Sequence, residues 1–329
     1  MTAGPQLADS FGRRFPYLRL SLTDVCNFRC SYCLPDGYKK TGCETFLEQT
    51  EILRLVRAFA ALGVWKIRLT GGEPTIRPDF IGITRQIAAM PGIENLAFTT
   101  NGYKLPQRAQ EYFDAGLRAI NISIDSLNNS GFKTITGHDR LGEVLEGITA
   151  CFEAGFESIK INTVLLKNLN DTELDDFIDF VKDKPVSLRF IELMRTRDNQ
   201  DYFQKHHLSG TYVTERLLSK GWHAKPRADG AGPAVEFGHP ESAGTIGLIA
   251  PYSKDFCKNC NRLRVSAKGA LHLCLFGEGG YSLRPLLQSD DQQEELEEKI
   301  MTLMNFKKSA HFLHQNNSGV RDHLASIGG

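Results

Sequence analysis

The chain has 329 residues, of which 41% are hydrophobic, and its 39 Lys and Arg residues are matched by 39 Asp and Glu residues. A chain of this length and composition can bury a large core, as one big domain or as two. The balanced charge argues against wrapping nucleic acid or lying on an anionic membrane, since both require a strong positive field. No apolar run is long enough for a signal peptide or a membrane span, and we therefore expect a cytoplasmic protein.

Residues 1–16 are polar and irregular and predict a flexible lead-in. Strands and amphipathic helices alternate after this segment, which is the pattern of parallel strand–helix units. Six strands are predicted at 18–23, 66–70, 95–99, 119–125, 158–164 and 187–191, with helices near 50–62, 79–90, 106–115, 142–154 and 171–182. A further strand is predicted at 245–250, in the last third of the chain.

Polar and apolar residues alternate along each of the six strands, with Arg19, Arg68 and Lys160 among the polar ones. A closed eight-stranded barrel fills its interior with branched apolar side chains. Six strands with one polar face therefore predict an α/β fold with an incomplete (βα)6 barrel of the triosephosphate-isomerase type around a polar ligand. Half-exposed antiparallel strands are the alternative, although the intervening helices favour parallel crossovers. We expect the partial barrel at 17–194 and a C-terminal region at 195–329.

Three cysteines, Cys26, Cys30 and Cys33, follow the first strand with the spacing C-x3-C-x2-C. The active sites of such barrels lie at the carboxyl ends of their strands. A closed zinc or iron–sulfur site takes four protein ligands, so three thiolates leave one position open for a reacting ligand. The second strand runs into Gly-Gly-Glu-Pro at 71–74, where glycines permit close backbone approach. These features predict a reactive metal site at this end of the strands.

A second triplet, Cys257, Cys260 and Cys274, again leaves one ligand position open. Arg262 and Arg264 stand two positions apart on a predicted strand, so both guanidinium groups face the same way, as suits a polyphosphate.

A structural zinc site completed by His239 or His272 is the alternative for the second triplet. Cys43 and Cys151 are interpreted as thiols without an assigned role, and the pair His206-His207 as solvated.

With the first triplet, an aromatic Tyr32 inside it and the Gly-Gly-Glu-Pro turn, the sequence resembles the radical S-adenosylmethionine superfamily. The resemblance implies a [4Fe–4S] cluster on Cys26, Cys30 and Cys33, with reductive cleavage of S-adenosylmethionine to a 5′-deoxyadenosyl radical. The residues that it implies for S-adenosylmethionine binding are Tyr32, Gly72, Ser123 and Met194. Residues 195–200, which directly follow Met194, differ from the glycine-containing sequence that is commoner at this point in the family. The expected placement of Met194 depends on this segment.

The second triplet, the Cys-Asn-Arg-Leu-Arg run at 260–264 and the terminal Gly328-Gly329 narrow the resemblance to the GTP 3′,8-cyclases of molybdenum cofactor biosynthesis. The resemblance implies a lyase-type reaction in which H3′ of GTP is abstracted and C3′ joins C8, giving (8S)-3′,8-cyclo-7,8-dihydroguanosine 5′-triphosphate. It also implies that the C-terminal region closes the open side of the barrel and carries a second [4Fe–4S] cluster on Cys257, Cys260 and Cys274. The implied GTP-binding residues are Arg19, Arg68, Thr99, Lys160, Arg262, Leu263 and Arg264, and Arg262 and Arg264 join the first triplet as catalytic residues.

The implied partners are GTP, an electron donor and a cyclic pyranopterin monophosphate synthase that receives the product. Neither nucleic acid nor a membrane is expected as a partner, and the sequence does not decide whether the protein is a homodimer. The Gly-Gly tail resembles one that reaches into the active site in the family. A peptide-modifying enzyme of the same superfamily is one alternative function, and a zinc-dependent nucleic-acid-binding protein is another.

For Arg19, Arg68 and Lys160, the alternative to binding GTP is a structural salt bridge to Glu73, Asp125 or Glu192.

Overall fold

The computed structural model describes residues 6–40, 45–227, 231–277, 279–311, 313, 319 and 325–327. Cys43 and the Gly328-Gly329 tail lie outside the described residues. The strands are β1 Tyr17–Ser21, β2 Lys66–Thr70, β3 Asn95–Thr100, β4 Ala119–Ser123, β5 Ser158–Leu165, β6 Ser187–Glu192, β7 His223–Ala224, β8 Val235–Gly238, β9 Thr245–Ile249, β10 Arg262–Val265, β11 Ala270–His272 and β12 Tyr281–Ser282. The helices are α1 Gln49–Ala61, α2 Phe80–Ala88, α3 Leu105–Asp114, α4 Asn129–Thr136, α5 Leu141–Ala154, α6 Leu174–Phe180, α7 Gln200–His206, α8 Thr211–Ser219 and α9 Gln293–Met304.

The described strands form one mixed sheet in the order β12-β11-β10-β1-β2-β3-β4-β5-β6-β9-β8-β7. The stretch from β10 to β9 is parallel throughout, and the two strands beyond each end of it are antiparallel. The six strands predicted from alternation are present, with ends within two residues of the expected ones. The parallel part is nevertheless larger than expected, because β9 and β10 join it from the C-terminal region.

Residues 195–329 therefore extend the sheet at both ends. Strand β9 pairs with β6, and β10 pairs with β1 at a sequence separation that leaves no local signal. Among the described strands, β12 and β7 remain edges that are not hydrogen-bonded to each other. The expectation that this region closes the open side is thus not met by strand pairing.

The sheet is strongly curved. In a flat sheet, the seven steps from β10 to β9 would separate these strands by about 34 Å, because neighbouring strands lie about 4.8 Å apart. Side chains of both strands, Arg264 and Ile249, nevertheless line one cavity. The polar face of the sheet therefore faces an enclosed space, while its apolar face packs on the helices.

The alternation of residues along the strands decides which side chains enter that space. Leu18 and Leu20 on β1 and Ile120 and Ile122 on β4 are fully buried in the apolar core. The intervening Arg19 lines the cavity instead. No described helix is both long enough and apolar enough to cross a bilayer.

The sequence did not predict α4. Its signals are present, since the Asn128 side chain caps the first turn and Gly137 ends the helix in the left-handed conformation. The helix predicted at 171–182 is a short 3-10 turn, Asp171–Glu173, followed by α6.

The segment at 6–16 is packed against the rest of the chain, so the expectation of a flexible lead-in is wrong for these residues. Leu7 and Phe15 are buried in the core, at 5% and 1% exposure. The backbone N–H of Leu7 donates to Leu62, and that of Phe15 donates to Leu7. Partners distant in sequence thus order a segment whose own composition is polar.

Candidate active site

The first cysteine triplet lies in the loop after β1 and opens into a cavity at the carboxyl ends of the parallel strands. Cys26, Cys30 and Cys33 all line this first cavity. Burial raises the pKa of Cys26 to about 11 and that of Cys33 to about 12, and it raises the pKa of Cys30 well above its ordinary value. The negative charges of Asp125 and Cys26 add to the rise in pKa for both Cys30 and Cys33. These thiols lose their protons only when a positive centre compensates the charge, which is what an iron–sulfur cluster supplies.

The glycines at 71 and 72 bring the loop after β2 against the cysteine loop. A Cβ on Gly72 would overlap the carbonyl oxygen of Val25, and Gly71, with φ of +152°, leaves equally little room against Thr23. The backbone N–H of Gly72 donates to Thr23, and that of Glu73 donates to Val25, both at 2.8 Å. This contact between two backbones is possible only without side chains.

Glu73 joins the loops after β2 and β3 from inside the protein. Its carboxylate is 1% exposed and accepts hydrogen bonds from the backbone N–H groups of Thr75 and Asn101 and from the hydroxyls of Thr75 and Thr100. Burial raises the pKa of Glu73, although these donors oppose the rise. The carboxylate therefore acts as a structural centre for the mouth of the cavity.

The four residues expected at S-adenosylmethionine, Tyr32, Gly72, Ser123 and Met194, all line the first cavity. The Tyr32 hydroxyl donates to Asp125 at 2.8 Å, and the other oxygen of Asp125 accepts from the backbone N–H of Val164 at 2.8 Å. Burial raises the pKa of Asp125 to about 6. Tyr32 is thus tied to the strand ends on the opposite side of the cavity.

Met194 has a defined place although the segment that follows it is unusual. The Asn199 side chain donates to the carbonyl of Met194 at 2.9 Å, and the N–H of Arg195 donates to the Tyr252 hydroxyl at 3.0 Å. The side chains of Asn199 and Tyr252 thus fix the backbone at Met194 and Arg195.

A second cavity lies nearer to the amino ends of the parallel strands, and the second cysteine triplet lines it. Cys257, Cys260 and Cys274 line it together with the cationic residues Arg19, Lys66, Arg68, Lys160, Arg189, Arg262 and Arg264. Glu236 is the one carboxylate among the described lining residues, and it pairs with Arg189 at 3.0 Å. The cavity therefore carries a large excess of positive charge inside a chain of zero formal net charge.

The parallel register places three of these arginines side by side. Arg19 on β1 is opposite Arg264 on β10 and Arg68 on β2. Like charges directly opposite each other on neighbouring strands are destabilising. The arrangement is explained if an anion occupies the space in front of them.

Electrostatic strain in this wall is visible in its pKa values. Burial, together with cationic neighbours, lowers the pKa of Arg19 to about 10, that of Arg264 to about 9 and that of Lys160 to about 7. Burial alone would raise the pKa of Tyr17, but the cations around it, Arg68 first, lower it to about 8. The Nε atoms of Arg68, Arg262 and Arg264 are buried without a hydrogen-bond partner among the described residues.

The two cavities meet. Asn162, Ile191 and Met194 line both of them. A molecule bound at the first triplet and one bound at the second would therefore face each other across these three side chains.

Comparison with known proteins decides the family. Residues 20–181 match the family model described as the Radical SAM superfamily, and residues 186–313 match that described as Molybdenum Cofactor Synthesis C. The chain is 59% identical over 324 residues to the GTP 3′,8-cyclase of Stenotrophomonas maltophilia strain R551-3, covering 98% of this chain and 99% of that protein. The GTP 3′,8-cyclase of Yersinia pestis is 54% identical over 324 residues, with coverage of 98% and 99%. The chain belongs to the GTP 3′,8-cyclase family.

The resemblance predicted from the motifs is therefore confirmed, and this member of the GTP 3′,8-cyclase family is an enzyme of the radical S-adenosylmethionine superfamily. The crystal structure of Streptococcus suis SuiB bound to S-adenosylmethionine shares the fold, with a TM-score of 0.54 at 14% identity, covering 86% of this chain and 68% of that one.

The two histidines considered for a zinc site, His239 and His272, do not line the cavity of the second triplet. Within the described residues, no three His, Cys, Asp or Glu side chains converge on a position for a single metal ion. Zinc requires such convergence, whereas the cysteines of an iron–sulfur cluster each bind a different iron. His239 packs on Trp222, and the Nδ1 atom of His272 lies 3.0 Å from the carbonyl of Gly279, so neither is placed beside the cysteines.

The salt-bridge alternative also fails for Arg68 and Lys160. Glu73 and Asp125 are occupied by the donors described above, and Glu192 lies 2.8 Å from His207. In the part of the chain that the structure describes, neither cation pairs with any of these carboxylates.

The side chains of two residues predicted to contact GTP, Thr99 and Leu263, are not among those that line the second cavity. Leu263 is buried in the apolar core at 1% exposure, because it alternates with Arg262 and Arg264, so its side chain cannot reach the second cavity. Thr99 lines the first cavity, where its buried hydroxyl has no hydrogen-bond partner among the described residues.

The interpretation of His206 and His207 as a solvated pair is wrong. His206 is 7% exposed, with Nδ1 2.9 Å from the carbonyl of Lys167, and His207 contacts Glu192. Sequence reasoning also gave no role to Lys66, Arg189 or Asn162, although the alternation that selected Arg68 places them on the same face.

Proposed function

We propose that this enzyme binds GTP in the second cavity and cyclises it between C3′ and C8, after a 5′-deoxyadenosyl radical formed in the first cavity removes H3′. Attack of the C3′ radical on C8 leaves one unpaired electron on the base, and one electron from the electron donor together with one proton would give (8S)-3′,8-cyclo-7,8-dihydroguanosine 5′-triphosphate, in the first step of molybdenum cofactor biosynthesis. The observation that carries the proposal is the cationic wall around Cys257, Cys260 and Cys274, which adjoins the cavity of the first triplet.

In this proposal, Cys26, Cys30 and Cys33 hold one [4Fe–4S] cluster. Bound there, the cluster supplies the electron that cleaves S-adenosylmethionine. Tyr32, with its hydroxyl fixed by Asp125, bounds the cosubstrate on one side.

The chain holds S-adenosylmethionine on its remaining sides with Gly72, Ser123 and Met194. Gly72 offers backbone at close range, because no side chain stands between it and the cavity. Thr99, which is predicted to contact GTP, also lines this cavity, and its buried hydroxyl has no hydrogen-bond partner among the described residues.

Cys257, Cys260 and Cys274 hold a second [4Fe–4S] cluster in this proposal, with its open position towards the guanine base. The residues around Cys260 lower the cost of forming its thiolate. Burial would raise the pKa of Cys260, but the charges of Lys307 and Arg262 outweigh it, and the pKa lies below its ordinary value.

The cationic wall binds and orients the triphosphate. Arg19, Arg68 and Arg264 form a row across three strands, and a phosphate chain would relieve their mutual repulsion while it satisfies the buried Nε–H donors of Arg68 and Arg264. Lys160 gains its proton when the anion arrives, because its pKa of about 7 reflects burial and the neighbouring cations. Binding energy is thus obtained from strain already present in the free enzyme.

We further propose a partial barrel at 17–194 and a cluster-binding region at 195–329 that completes the substrate cavity. The electron donor and the cyclic pyranopterin monophosphate synthase that takes the product remain proposed partners. Ala325 lines the first cavity, and Ile327 belongs to an apolar cluster against which Met194 packs.

The test is anaerobic reconstitution with iron and sulfide, followed by incubation with GTP, S-adenosylmethionine and dithionite. We expect about eight iron atoms per chain, as two [4Fe–4S] clusters require, together with 5′-deoxyadenosine and the cyclised nucleotide. R264Q should lose GTP binding and product, while R57Q, which removes an exposed arginine on α1, should behave as the unmodified enzyme. Cleavage of S-adenosylmethionine without any change in GTP, or equal activity of R264Q, would refute the proposal.

A further inference from the structure

The segment before β1 contacts the loop of the second cysteine triplet directly. The guanidinium of Arg13 donates to the carbonyl of Cys257 at 3.0 Å, to that of Ser309 at 2.7 Å and to that of Lys308 at 2.7 Å. One side chain thus joins three parts of the chain, which are separated by 244 and by about 296 residues.

Asp9 holds this guanidinium in place. The Nε of Arg13 donates to the Asp9 carboxylate at 2.7 Å, and a second nitrogen lies 2.6 Å from the same oxygen. The other oxygen of Asp9 accepts from the backbone N–H groups of Phe11 and Arg13. The Asp9 side chain is 0% exposed and that of Arg13 is 11% exposed, so the pair is fixed inside the protein.

The segment at 308–309 leads directly to the second cavity. His311, two residues further on, lines that cavity, and its backbone N–H donates to the Cys257 thiol. Arg13 therefore connects the loop that carries Cys257 with the segment at 308–311, whose His311 N–H donates to the sulfur of Cys257.

A second buried cation supports the same wall. Lys307 is 4% exposed, its ammonium donates to the carbonyl of Leu273 next to Cys274, and it lies 4.8 Å from the ring of Phe15. The segment before β1 thus bears on the surroundings of two of the three cysteines.

We propose that Arg13 is a positioning residue for the second cysteine triplet, and that through it the segment at 7–15 sets the spacing of that triplet and the shape of the GTP cavity. Only arginine can perform this role, because its planar fork carries five N–H donors at fixed angles, whereas lysine offers a single ammonium. The inference rests on the proposed second cluster. It adds that the cluster also requires Arg13, a residue that is not one of its ligands.

Four variants test the inference: R13Q, R13K, D9N and R14Q. Arg14 is the matched control, since it is the adjacent arginine, is exposed and undergoes the same change of charge. Each protein is reconstituted anaerobically, and four quantities are measured: iron and sulfide per chain, the Kd for GTP, cleavage of S-adenosylmethionine, and the melting temperature of the apoprotein.

We expect R13Q to hold about four iron atoms where the unmodified enzyme holds about eight, to bind GTP at least tenfold more weakly and still to cleave S-adenosylmethionine. R13K and D9N should fall between R13Q and the unmodified enzyme, and R14Q should match the latter.

Unchanged iron content and GTP affinity in R13Q would overturn the inference. So would an equal loss of both clusters together with a lower melting temperature, since that is the result of a general structural role. If the unmodified enzyme itself holds only four iron atoms, the proposed second cluster is wrong. The GTP affinities of R13Q and R14Q would then still decide whether Arg13 shapes the cavity.

Discussion

GTP binding should take up a proton at Lys160. The pKa of this lysine is lowered from 10.5 to about 7 by burial and by Arg189, Arg68 and Lys66. At pH 8 a group with this pKa is only about one-tenth protonated, and the arriving triphosphate restores the ordinary pKa, so about 0.9 proton enters per GTP at Lys160. At pH 6 the uptake falls to about 0.1, because the lysine is already charged.

Titration calorimetry in buffers of different ionisation enthalpy measures this uptake. The triphosphate itself contributes little at pH 8, because its last proton is lost near pH 6. Tyr17, with a pKa of about 8, adds a second contribution of about half a proton. K160M should therefore remove the larger part of the uptake and Y17F the smaller part, whereas K182M, at an exposed site, should change neither. A value near zero for the unmodified enzyme at pH 8, or equal values for K160M and the unmodified enzyme, would refute the reasoning.

The same substitution should stabilise the apoprotein while it weakens GTP binding. Since the folded pKa of Lys160 lies below the unfolded one, the unfolded state binds more protons between pH 7 and 10.5, and stability rises with pH across that window. At pH 7 the charged lysine destabilises the fold by up to about 4 kcal/mol, at 1.36 kcal/mol for each pKa unit. Urea unfolding of the K160M apoprotein should show this gain at pH 7 and lose it near pH 10.5.

Three further substitutions probe the first cavity. G72A should abolish cleavage of S-adenosylmethionine, because the new Cβ overlaps the Val25 carbonyl, and loss of 5′-deoxyadenosine checks it. E73Q should lower the free energy of unfolding by about 1–3 kcal/mol, because its amide nitrogen faces donors that require an acceptor; a chemical denaturation midpoint equal to that of the unmodified protein would contradict this. Y202F removes the 2.8 Å contact between the Tyr202 and Ser31 hydroxyls; we expect faster loss of iron from the first triplet to a chelator, with GTP affinity unchanged.

The period-two alternation of the strands carried most of the site prediction. It selected Arg19, Arg68 and Lys160 for the polar face, and parallel strands then brought them to one cavity. The same rule explains why the Leu263 side chain is buried, since a residue between two inward-facing arginines points to the core. The rule was sufficient for orientation because orientation is a local property of a strand.

Contacts between distant parts of the chain could not be predicted in this way. The pairing of β10 with β1, which sets Arg264 beside Arg19, joins residues about 245 positions apart and has no local signal. Arg13 and His207 were misjudged for the same reason, because polar residues were assigned to solvent when their partners, the Cys257 carbonyl and Glu192, lie far along the sequence. Burial of polar residues is decided by such partners, and composition does not report them.

The pairing of β10 with β1 determines where the two cysteine triplets lie relative to each other. The first triplet follows the carboxyl end of β1, while Cys260 precedes β10, which runs parallel to β1 with Tyr17 opposite Arg262. The two triplets thus lie at opposite ends of a five-residue strand, which spans about 16 Å at 3.3 Å per residue. In the proposed reaction, GTP held by the cationic wall would extend past Met194, which lines both cavities, towards the first triplet. An anionic group at one end of the substrate, such as a triphosphate, fits the cationic wall.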